Sequence, residues 1–96
     1  MRDSGVRAPR THELRCVLGY FSDVAEGRKR FEVRKDDRTF EVGDTLVLRE
    51  WDDIATERYT GRQVRVQVTY LMPGGQFGVM HGYVVLGVEL EGGASA

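Results

Sequence analysis

Gly27-Arg28-Lys29-Arg30-Phe31-Glu32-Val33-Arg34-Lys35 is the stretch on which the fold turns. It opens on a glycine able to end a helix, then alternates apolar and charged residues with the period of a half-buried strand. Period two puts Phe31 and Val33 on one side and Arg30, Glu32 and Arg34 on the other. The apolar pair is expected to face the core. A glutamate flanked by arginines at i±2 orients the guanidinium groups beside it, and Lys29 lies next to the same cluster. Such a group would hold a phosphate or a polar base edge, or present a carboxylate and an amine to one substrate. On an open face it is only a cross-paired charged strand that keeps the surface soluble.

Upstream, Phe21, Val24, Ala25 and Arg28 fall at i, i+3, i+4 and i+7, which predicts a short helix over about 20–27 that Gly27 terminates. A helix of that length must pack on a sheet to persist. Before it, Leu14, Cys16 and Leu18 alternate with Arg15 and Val17, predicting a strand at about 12–17. Downstream, Asp36-Asp37 and Gly43-Asp44 mark turns, and Leu46 and Leu48 oppose Val47 and Arg49. Residues 51–62 read as a long polar connection with a turn at Thr60-Gly61. Val64, Val66, Val68 and Tyr70 then share a strand face over 63–71. Pro73-Gly74-Gly75 turns the chain, and Val84, Leu86, Val88 and Leu90 share a face over 83–90. Five or six strands and one helix predict an α+β domain, a small curled sheet or barrel with the helix against one end.

The 96 residues suit one domain. An apolar content of 41% with 30% charged residues is that of a folded globular chain. Residues 1–10 and 92–96 have no period and read as frayed tails around a domain at 11–91. Tyr70–Val88 lacks charge, but Pro73, Gly74, Gly75, Gln76 and His81 interrupt it, so no membrane helix is expected. No apolar run follows Arg2, Arg7 and Arg10, so no secretory signal is expected. With Cys16 as the lone cysteine, a cytoplasmic location is expected. The net charge of −1 disfavours a whole-surface polyanion binder, yet residues 28–38 hold six basic and three acidic side chains. That local balance suits a small ligand or a short single strand better than long duplex.

His12, Cys16 and His81 lack metal-ligand spacing, and neither a Ser-His-Asp arrangement nor a phosphate loop is present. No metal or cofactor is expected. His12 opens the first strand, either as a base contact or proton carrier or as a structural histidine. Cys16 reads as a small buried hydrophobe, and His81 as a solvated loop residue. Trp51, at a strand end, would stack on a base or close the barrel end, and Tyr59 and Tyr83 are open to the same two readings.

Gly27-x-Lys29-x-x-Glu32-x-Arg34 reproduces the GxKxxExR signature of the ASCH superfamily, whose fold is related to the PUA domain. His12-Glu13-Leu14-Arg15, Asp37-Arg38, Phe40-x-Val42-Gly43-Asp44, Leu46-x-Leu48-Arg49-Glu50-Trp51-Asp52, Tyr59-Thr60-Gly61-Arg62 and Gly82-Tyr83-Val84-Val85-Leu86 extend the likeness. Over roughly residues 11–90 the chain resembles an ASCH-like family of bacteria and phages, the DUF3850 type. The resemblance implies a small mixed β-barrel of PUA-like type with one or two short helices. Its cleft, lined by the signature, would take RNA or a modified nucleoside, with Lys29, Glu32 and Arg34 as cleft residues. Some small ASCH members are amidohydrolases of acetylated cytidine, and at least one is linked to RNA cleavage. The amidohydrolases carry a lysine matching Lys29 and a threonine where this chain has Glu32, so that nucleophile is missing here.

The resulting expectation is a monomeric domain that binds RNA or a modified nucleotide through His12, Lys29, Glu32, Arg34, Lys35, Arg38 and Trp51, with no membrane partner. The rival is a hydrolase of a modified nucleoside or of RNA, with Lys29 and Glu32 as its catalytic residues. A third reading is a protein-interaction module on the same barrel.

Overall fold

The computed structural model describes residues 7–92. Its elements are β1 (Thr11–Val17), α1 (Leu18–Ala25), β2 (Phe31–Lys35), β3 (Thr45–Asp52), β4 (Arg58–Pro73) and β5 (Tyr83–Leu90). The strands form one sheet in the order β1-β3-β4-β5-β2. β1 runs parallel to β3, and every other neighbouring pair is antiparallel. The sheet curls into a half-barrel around Leu14, Cys16, Leu46, Leu48, Val66, Val68, Val84, Leu86 and Val88, and α1 adds Phe21 and Val24. Phe40, from the β2–β3 connection, is fully buried among them.

A closed barrel would pair its edge strands, whereas here β1 and β2 stand at opposite ends of the strand order. Arginine side chains bridge the seam between them. Arg34 Nη2 donates to the Arg15 carbonyl and Arg38 Nη1 to the Glu13 carbonyl, each at 2.9 Å. The carbonyls of β1 that face away from β3 thereby find partners without a backbone ladder.

α1 begins two residues before the predicted helix and ends on a Schellman motif. Gly27 has φ +82°, its N–H donates to the Val24 carbonyl, and the Arg28 N–H reaches back to the Asp23 carbonyl. β2 follows over the predicted residues but with the opposite face inward. Glu32 is only 3% exposed, whereas Phe31 and Val33 are 48% and 51% exposed. Alternation fixes the period and leaves its phase open, and on this strand the polar side faces in.

Residues 51–62 also differ from the expected connection. β3 continues to Asp52, whose carboxylate accepts the N–H groups of Ile54 and Ala55, and β4 starts at Arg58. The stretch is a hairpin with a register slip between Arg49 and Trp51, so Thr60-Gly61 lies within a strand. A second slip, between Val68 and Tyr70, reverses the alternation of β4. Tyr70, expected on the core face, points outward at 68% exposure, and Leu71 packs against the core instead.

Residues 1–6 and 93–96, which make up most of the expected tails, lie outside the described residues. Arg7 is anchored on Asp44. Among the described residues, no helix is long and apolar enough to cross a membrane.

Candidate functional site

The helix stop at Gly27 delivers Lys29 to the mouth of the half-barrel, and β2 then carries Glu32 inward. The carboxylate of Glu32 divides its oxygens between two cations. Lys29 Nζ lies 2.6 Å from Oε2, and Arg34 donates through Nε and Nη2 to Oε1 at 3.0 and 2.8 Å. Lys29 Nζ also donates to the Phe31 carbonyl at 2.8 Å. The lysine and arginine side chains keep 16% and 22% of their surface exposed, so both can still meet a ligand from solvent. Two cations on one carboxylate leave a fixed local charge of +1 with its donors already oriented. Arg30, expected beside Glu32, instead donates to the Gly27 carbonyl, and Lys29 takes that place.

Lys29 also joins this cluster to the outer surface. Its Nζ stands 4.9 Å from the Phe31 ring centroid and 5.6 Å from that of Tyr20, both exposed rings. The inverted phase of β2 is what sets Phe31 there.

Glu50, which sequence reasoning did not single out, supplies a further inward polar group beside Cys16, the buried small hydrophobe that alternation predicts. Cys16 and Glu50 are register partners on β1 and β3, and both are buried. Burial raises the Cys16 thiol pKa. The charges of Glu32 and Glu50 raise it further, while Lys29 and Arg34 oppose them. The thiol therefore senses both carboxylates. Glu50 Oε1 accepts the Thr60 hydroxyl at 2.7 Å, and Arg62 lies 3.7 Å from its other oxygen. The available signal was Glu50 itself, a charge in register with the inward Leu46 and Leu48.

The other predicted residues lie elsewhere. His12 is buried, with Nε2 at 2.9 Å from Asp44 Oδ2 and its ring edge-on to Phe40 at 4.9 Å. It belongs to a cluster with Arg7 and Asp44, not to that of Glu32. Arg38 serves the seam, and Lys35 is exposed opposite Tyr83. Trp51 is half-buried on the outer face. The Arg15 guanidinium lies 3.6 Å from its ring, Tyr59 meets it edge-on at 4.9 Å, and Arg49 lies 3.9 Å from the Tyr59 ring. His81 is exposed in the β4–β5 loop.

Among the described residues, no three His, Cys, Asp or Glu side chains converge into a metal-binding group. A cavity of about 40 Å³ beneath the end of α1 is lined by Val24, Gly27, Lys29, Val66 and Val88. That is room for a few waters and not for a nucleoside, so a larger ligand would meet Lys29 on its exposed side.

Two comparisons with known proteins cover much of the described chain. The chain is 47% identical over 58 residues to a protein of Escherichia phage P2 described as an uncharacterized 12.9 kDa protein in the GpA 3′ region. That match covers 60% of this chain and 50% of the phage protein, so it spans half the length of this relative. The domain of unknown function DUF3850 matches residues 11–88, from the first strand through Val88 of the last, with the Lys29–Glu32–Arg34 cluster inside it. With most of its length under that match, the chain belongs to the DUF3850 family.

Proposed function

We propose that this domain binds single-stranded RNA or a modified nucleotide at the Lys29–Glu32–Arg34 cluster, and that its half-barrel is a PUA-like fold of ASCH type. One observation carries the reading. A nearly buried carboxylate holds two partly exposed cations in fixed positions, and one of them sits against two exposed aromatic rings. Phosphate would take the free donors of Lys29 and Arg34, and a neighbouring base would find a ring to stack on. Glu32 orients the cations and does not meet the ligand. The test is a fluorescence titration of short single-stranded RNAs, with a thermal-shift screen of nucleosides and nucleotides. Wild type should bind and Lys29→Ala should bind markedly more weakly. A screen in which no RNA or nucleotide binds, or in which Lys29→Ala binds as well as wild type, rejects the reading.

The hydrolase reading draws support from one different observation, the 2.7 Å hydrogen bond from the Thr60 hydroxyl to Glu50. A hydroxyl beside a carboxylate is a nucleophile with a base. Incubation with acylated cytidines and with RNA, followed by chromatography, separates the two. We expect no turnover. Turnover that is lost in both Thr60→Ala and Glu50→Gln, with binding retained, would establish the enzyme.

A further inference from the structure

The register of β2, β5 and β4 assembles rows of side chains on the outer face of the sheet. Phe31 pairs with Gly87, which pairs with Tyr70, and Val33 pairs with Val85, which pairs with Met72. Lys35 pairs with Tyr83 at the end of the same face. The alternate residues Glu32, Leu86 and Leu71 belong to the inner face. Phe31, Val33, Tyr70 and Tyr83 are exposed large hydrophobics. Exposed apolar side chains gathered on one sheet face are candidates for a contact surface.

The first row has a particular shape. Gly87 stands between two aromatic residues and offers no side chain, so a trough runs between Phe31 and Tyr70. A Cβ there would already lie 3.2 Å from Tyr70 Cβ and 3.3 Å from Thr69 Oγ1. Two regular strand spacings are roughly 10 Å, and the slip between Val68 and Tyr70 brings Tyr70 in closer over Gly87. A planar group in contact with a ring on each side needs roughly 7–8 Å.

Charge tells what belongs in the trough. Lys29 stands over the Phe31 ring, and Lys35 and Arg30 are on the same strand or just before it. A flat group flanked by negative charge fits this, as does a strand of bases whose phosphates pass the lysines.

We propose that the outer face of β2, β5 and β4 is a base-stacking platform for single-stranded nucleic acid, with one base seated over Gly87 between Phe31 and Tyr70. The proposal rests on the nucleic-acid reading of Lys29 and extends it around the edge of the sheet. A strand with a phosphate at Lys29 lays its adjoining base on Phe31. Val33, Val85 and Met72 then receive the apolar edges of the next nucleotide.

The test titrates wild type, Phe31→Ala, Tyr70→Ala and Lys29→Ala into a short fluorescein-labelled single-stranded RNA and into its abasic counterpart with the same number of phosphates. Phe31→Ala and Tyr70→Ala should each lower affinity for the RNA about tenfold, leave its salt slope unchanged and hardly alter binding of the abasic strand. Lys29→Ala should weaken both strands and reduce the slope by about one contact. Both aromatic side chains are exposed, so thermal unfolding of these variants should stay close to wild type. If RNA binds and needs Lys29, yet ignores Phe31 and Tyr70, the platform is wrong and the cluster stands. If neither strand binds wild type, both readings fall together. If sedimentation shows a dimer that Phe31→Ala dissolves and RNA does not displace, the face joins two copies of the chain and the platform is overturned.

Discussion

Asp44 shows what one buried carboxylate does in this molecule. It is fully buried and accepts both terminal nitrogens of Arg7, the Arg10 and Glu41 N–H groups, and a contact from His12. Burial alone would raise its pKa. The hydrogen bonds from Arg7, Arg10, His12 and Glu41 outweigh that and hold it well below the usual carboxylate range. A carboxyl depressed in the folded state contributes stability that is complete above its unfolded pKa, near 4, and that fades as pH falls below it. Thermal unfolding from neutral to acid pH should therefore show stability dropping below about pH 4. Asp44→Asn should be roughly 3 kcal/mol less stable at neutrality and should lose much of that acid dependence. Glu32 is buried too, but its partners Lys29 and Arg34 reach solvent. Glu32→Ala should cost about 2 kcal/mol by leaving Lys29 and Arg34 facing each other, measured by urea unfolding, with Glu32→Gln costing less.

Among the elements, the β4–β5 hairpin depends on close approach at Gly74. A Cβ on Gly74 would lie 2.1 Å from the Met80 carbonyl oxygen and 2.6 Å from that of Tyr83, to which the Gly74 N–H already donates. Gly74→Ala must displace backbone, and its urea midpoint should fall by the equivalent of about 3 kcal/mol. The strands themselves were legible where one face is apolar and the other polar. β5 matches the expected span, and the inward Val84, Leu86 and Val88 are those its alternation picks out. β2 was legible as a strand but not in its facing, because at this end of the half-barrel the interior is ionic and the exterior aromatic. The arm from Arg58 to Gln63 was not legible at all. It is exposed throughout, so no periodicity marks it as a strand. The GxKxxExR resemblance picked out Lys29, Glu32 and Arg34 together, whereas alternation alone set Arg30 beside Glu32. Glu50 and Thr60 were not picked out, since the register of β3 and β4 that joins them is set by a slip no local pattern announces.

At the scale of the whole molecule, a net charge of −1 coexists with the basic stretch of β2. The proposed affinity for nucleic acid draws on that stretch, since the net charge gives the molecule as a whole no pull on polyanions. The logarithm of the RNA association constant should fall with the logarithm of salt concentration at a slope of about −1.4 to −2.8, the value for two to four phosphate contacts on a single strand. A slope near zero in the same titration would mean recognition of a neutral group.

The strand order has a consequence for how the chain comes together. β3, β4 and β5 are consecutive in sequence and adjacent in the sheet, whereas β1 and β2 attach to opposite sides of that meander. Thr11 finds its partner at Thr45, and Phe31 finds its own only at Gly87. During synthesis both early strands leave the ribosome before anything exists for them to pair with. β1 can pair once β3 has emerged, whereas β2 must wait for β5, so the two early strands join the meander from opposite sides. Such distant pairings make folding slow, in the millisecond-to-second range typical of β-rich domains. Until β5 is complete, β2 has no backbone partner, and the Lys29–Glu32–Arg34 ion cluster it carries has no frame to hold it.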